Sequence, residues 1–68
     1  MTNFGKHLRE LRIEAGLSQA KLAKEINYSQ SVLCDWENEK VEPNATAVAK
    51  IAMYFNVSAD YLLGLKDY

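Results

Sequence analysis

Between Gly16 and Asn38 the chain has room for two short helices and a tight corner, and this stretch constrains whatever surrounds it. Ser18 stands where it can cap a helix whose apolar residues Leu22, Ala23 and Ile26 share one face. Ser29 can cap a second helix with Leu33 and Trp36 turned inward. Asn27 and Tyr28 are all that remain for the turn. Asn27 falls where the chain must enter the left-handed region, which Asn tolerates better than most residues. Ala20 and Ala23 are expected to be the small residues on the facing side, letting the second helix cross the first closely and steeply.

The same pattern runs through the rest of the chain and predicts five helices and no strand. Asn3 is expected to cap a first helix from Phe4 to about Ala15, with Phe4, Leu8, Leu11 and Ala15 as its apolar stripe and Gly16 ending it. Residues 39–44 form the longest loop. Pro43 and Asn44 then lead into a fourth helix with Val48, Ile51, Ala52 and Phe55 inward and Asn56 at its end. Ser58 is placed to cap a last helix, Ala59 to Leu63, whose Leu62 and Leu63 close the core before Gly64. No internal repeat or low-complexity tract interrupts this reading, so residues 1–68 are expected to form a single domain.

Sixty-eight residues bury a small core and leave no walls for an enzyme cleft. No nucleophile, base and oxyanion arrangement, metal cluster or phosphate-cradling glycine loop can be assembled, so no catalytic residue, cofactor or metal is expected. No apolar run approaches the roughly 20 residues of a membrane span, and Met1-Thr2-Asn3 begins no signal peptide. The single cysteine, Cys34, fits a reducing cytoplasm. Cys34 and the lone His7 have no partners at metal-ligand spacing and are expected as ordinary surface residues of their helices.

Two helices in this arrangement make a helix-turn-helix, over about residues 18–38, and point to DNA as the first partner to consider. The charge balance runs against a simple version of that idea, with 8 basic and 9 acidic side chains. Residues 1–26 carry Lys6, Arg9, Arg12, Lys21 and Lys24 against Glu10, Glu14 and Glu25. Residues 27–42 carry Lys40 alone against Asp35, Glu37, Glu39 and Glu42, so phosphate attraction must come mostly from elsewhere.

Gly16-Leu17-Ser18-Gln19, then Leu22-Ala23, Trp36-Glu37-Asn38, Pro43, Phe55-Asn56-Val57-Ser58 and Asp60-Tyr61-Leu62-Leu63-Gly64 resemble, in order and spacing, the lambda-repressor-like, Cro-type helix-turn-helix family, also called the xenobiotic-response-element family. The resemblance covers nearly the whole chain. It implies an all-α, compact five-helix DNA-binding domain with the helix-turn-helix at helices two and three. It also implies that Gln19, Ser29, Asn38 and Lys40 contact phosphates, and that Gln30, Ser31, Cys34 and Asp35 face the bases. Arg12 and Glu37 match positions that family members often join in a buried salt bridge.

Two residues depart from the family pattern. Asp35 stands where Arg, Lys or Gln is frequent; it either accepts from a cytosine amino group or weakens binding. Glu39 replaces the usual Gly and is expected to add negative charge at the groove's edge. A module this small needs a second copy for useful specificity, which makes a homodimer the expected state, with Met53, Tyr54, Tyr61, Leu65 and Tyr68 as candidate interface residues. The function these readings imply is a cytoplasmic, sequence-specific transcriptional regulator, a dimeric repressor on a palindromic operator in double-stranded DNA. Neither a membrane nor a small-molecule ligand is expected as a partner. The rival reading is a protein-interaction module, anti-repressor or antitoxin-like, that keeps the fold and reads DNA weakly.

Overall fold

The computed structural model describes residues 3–66. Five helices follow one another, with no strand among the described residues: α1 (Phe4–Glu14), α2 (Gln19–Ile26), α3 (Gln30–Glu37), α4 (Ala45–Phe55) and α5 (Ala59–Leu62).

Four of the five starts are written locally. Ser18 Oγ accepts from the Lys21 N–H at 3.0 Å, Ser29 Oγ from Val32 at 3.2 Å, Asn44 Oδ1 from Ala47 at 2.8 Å and Ser58 Oγ from Tyr61 at 3.0 Å. Each bond satisfies an amide that the first turn of a helix leaves without an intrahelical partner. Two ends are equally local. Asn27 (φ +66°) and Asn56 (φ +56°) take the left-handed conformation, and the following residues turn back, Tyr28 N–H to Ala23 at 2.8 Å and Val57 N–H to Ala52 at 3.0 Å.

The start of α1 departs from expectation. Asn3 makes no side-chain cap. The Gly5 N–H instead donates to Glu39 Oε1 at 3.0 Å, from a residue that has itself turned left-handed (φ +60°) beyond α3. Gly5 is required by this approach. A Cβ there would overlap the Trp36 carbonyl and stand 2.9 Å from that of Glu37, both shorter than real Cβ contacts.

The core gathers Phe4 and Leu8 of α1, Leu22, Ala23 and Ile26 of α2, Leu33 and Trp36 of α3, four residues of α4 and Leu62 of α5. Trp36 lies edge-on to both Phe4 (ring centroids 6.2 Å apart) and Tyr28 (5.0 Å). Tyr28, left in the turn by sequence reasoning, is thus a packing residue, with Lys50 Nζ 5.1 Å above its ring.

Several sequence expectations need correction. Ala15 is exposed and caps α1 rather than extending its stripe, because Gly16 turns the chain away at φ +72°. Ala20 is exposed, so of the two small residues only Ala23 is buried, while Ala47 is fully buried on α4. α5 ends at Leu62; Leu63 caps it and is half-buried. His7 is not a simple solvated residue, since its ring stacks on Tyr61 at 4.6 Å.

Candidate nucleic-acid interface

Burial of Leu33 and Trp36 fixes how α3 is rotated, and therefore which side chains it can present. Gln30 and Ser31 are exposed in its first turn, with Cys34 and Asp35 half-buried one turn later on the same side. Ser29, the cap, lies with its Oγ 3.3 Å from that of Ser31. Asn38 is exposed at the other end and donates from Nδ2 to Cys34 Sγ at 3.3 Å, and Lys40 follows, exposed. Gln19 stands at the first position of α2, where helix amides are available to an anion.

Behind this surface α1 and α3 are tied together by charge. Arg12 Nε donates to Glu37 Oε2 at 2.7 Å and Nη2 to Oε1 at 3.0 Å, the paired geometry that a guanidinium and a carboxylate favour. Arg12 Nη1 reaches the Leu17 carbonyl at 2.9 Å, which brings the entry to α2 into the same network. Gln19 Nε2 donates to Glu37 Oε1 at 3.0 Å. The hydrogen bond that Arg12 donates to Glu37 raises the guanidinium above its ordinary range; burial opposes the shift and the attraction between the charges adds to it.

This arrangement reduces the charge problem of residues 27–42. Glu37 is consumed by Arg12 and Gln19, with its side chain 4% exposed. Glu39 was expected at the groove's edge; an oxygen of its carboxylate is instead turned onto the start of α1, where negative charge is favourable. Asp35 and Glu42 are then the acids left to be balanced against Lys40 in that segment. Sequence reasoning missed the role of Glu39. The available signal was Gly5, a residue that weakens a helix unless something must come close.

The interface candidates are divided. Met53 is 81% exposed and Leu65 70%, while Tyr54 lies edge-on to Phe55 at 5.0 Å and Tyr61 is covered on one face by His7. Tyr68 lies outside the described residues. Met53 and Tyr54 border an open groove of about 400 Å³, with Glu25, Ile26, Asn27 and Lys50 as its other walls.

A family model for the helix-turn-helix matches residues 8–62. The chain belongs to the helix-turn-helix family. Its helix-turn-helix relatives include the HTH-type transcriptional regulator ImmR of Bacillus subtilis, 36% identical over 62 residues, which are 91% of this chain and 49% of ImmR. Another is the HTH-type transcriptional activator BcrR of Enterococcus faecalis, 33% identical over 60 residues, 88% of this chain and 29% of BcrR. The chain thus spans less than half the length of either. Among solved structures, the P22 c2 repressor in complex with a synthetic operator superposes with a TM-score of 0.86 at 28% identity, covering 93% of this chain and 96% of that one. A transcriptional regulator from Listeria innocua gives 0.87 at 25% identity, covering 94% and 60%. The helix-turn-helix is therefore α2, the Asn27 corner and α3, within a five-helix lambda-repressor-like fold.

Proposed function

We propose that the chain is a sequence-specific DNA-binding transcriptional regulator that places α3 in the major groove. The observation that carries this reading is the rotation of α3: its apolar residues lock into the core and its Gln30, Ser31, Cys34 and Asp35 side faces away from them. The structural likeness to a repressor bound to its operator supports it. Gln30 offers both a donor and an acceptor to a base edge, Ser31 either, and Asp35 an acceptor suited to a cytosine amino group. Gln19, Ser29, Asn38 and Lys40 flank them and hold phosphates, fixing register without reading sequence.

The finer reading is a dimeric repressor acting in the cytoplasm on a palindromic operator, with half-sites about 34 Å apart. Exposed Met53 and Leu65 are the interface candidates it rests on most, since apolar groups in water are what a second copy would cover. Neither a cofactor nor a small-molecule effector enters this mechanism.

Selection of bound duplexes from a randomised pool at low salt, followed by salt titration of the enriched sequence, tests both levels. A palindrome with affinity falling steeply in salt is expected. Enrichment of a single half-site would remove the dimer. Asp35 and Glu42 beside Lys40 favour the second reading, a protein-interaction module; failure to enrich any sequence would select it.

A further inference from the structure

Glu37 is already matched by Arg12, yet Gln19 also donates to it, to the oxygen that accepts from Arg12 Nη2. A carboxylate buried to this degree fixes the sense of the amide facing it. Carboxylate oxygens accept only, so Gln19 must turn its nitrogen inward, and its carbonyl oxygen cannot exchange places with it. One N–H is committed to Glu37 and the second remains to donate elsewhere. Arg12 braces the same site from below through the Leu17 carbonyl, one residue before the α2 cap. Gln19 therefore enters any complex with its rotamer selected, whereas exposed Gln30 has no such restraint in its own side-chain bonding.

We propose that Glu37 is a positioning residue for DNA binding: it holds the Gln19 amide in place beside the first amides of α2, ready for a phosphate. This rests on the reading of Gln19 as a phosphate contact. Its consequence is that one buried carboxylate serves two ends, joining α1 to α3 and setting the angle at which α2 meets the backbone. Side-chain ordering that binding would otherwise have to impose is completed during folding.

The test is a double-mutant cycle on the enriched duplex, using the full chain with Gln19→Ala, Glu37→Asp and both, each checked by circular dichroism to be folded at the temperature used. Glu37→Asp keeps the charge for Arg12 and shortens the reach by one methylene. Gln19→Ala alone is expected to weaken binding about tenfold, as loss of a charge-assisted hydrogen bond does. In the Glu37→Asp background the same change is expected to cost about threefold or less. Equal costs in the two backgrounds would overturn the positioning role and leave the phosphate contact standing. No cost in either would overturn the phosphate reading, and the proposal with it. Should Glu37→Asp fail to fold, nitrogen relaxation of the side-chain amides in the unaltered protein decides. A Gln19 amide markedly more ordered than that of Gln30 supports the proposal; one equally mobile overturns it.

Discussion

Glu39 occupies a left-handed conformation that costs a residue with a Cβ about 1–2 kcal/mol, and its carboxylate returns an amount of that order by accepting from Gly5 at the positive end of α1. The two substitutions that separate these effects have different expected outcomes. Glu39→Ala keeps the strain and loses the bond, and is expected to lower stability by about 1 kcal/mol in urea unfolding. Glu39→Gly loses both, and is expected to fall within about 0.5 kcal/mol of the starting protein. Gly5→Ala should cost about 2–3 kcal/mol despite the better helix propensity of Ala, because the new methyl meets backbone carbonyls that cannot move aside. Arg12→Ala strands the Glu37 carboxylate in a buried site and is expected to cost about 3 kcal/mol or more. Because the Arg12 pKa is raised, what the guanidinium contributes is fully present below its ordinary unfolded value and is lost only as pH rises through the higher folded value. Unfolding measured between about pH 6 and 10 should therefore show no weakening of this link.

At the scale of elements, what could be read from sequence was whatever the chain decides within one turn. Ser18, Ser29, Asn44 and Ser58 act on amides three residues ahead, and Asn27 and Asn56 on their own φ, so these four helix starts and two ends follow from neighbours alone. Replacing Ser29 by Ala should cost about 1 kcal/mol, localised by faster amide exchange in the first turn of α3. The features that escaped are settled across the fold. Gly5 and Glu39 are 34 residues apart, and no local rule connects them. Ala15 and Ala20 fit the apolar period of their helices but find nothing packed over them, whereas Ala47 does. The candidate DNA-facing side of α3 was legible because Leu33 and Trp36 fix its rotation; the inward pull on Gln19 was not, since it depends on where Glu37 ends up.

For the molecule as a whole, the balance of charge matters by position. With Glu37 and Glu39 occupied internally, Asp35 is the acid that remains on the side of α3 proposed to face DNA, where it would oppose phosphates. Asp35→Ala is expected either to shift the preferred base at one operator position or to raise affinity at all of them, and repeating the duplex selection distinguishes the two; no change at any position would remove Asp35 from the interface. Lys40→Ala should lower the slope of log affinity against log salt by about 0.9, the share of one phosphate. Sedimentation with and without duplex reports on the second copy: a monomer under both conditions at micromolar concentration would eliminate the dimer, and with it any weight placed on Met53 and Leu65.

The bond between Gly5 and Glu39 also sets an order of events during synthesis. α1 is made before α3, yet the amide at its start has no side-chain partner until residue 39 has left the ribosome, and Arg12 has no carboxylate to pair with until Glu37 has. α2 and α3 carry their own caps, so their starts wait for no distant residue. The start of α1 is consequently secured only after α2 and α3 have been made, and a nascent chain stalled before residue 30 would expose Phe4 and Leu8 with no α3 to receive them.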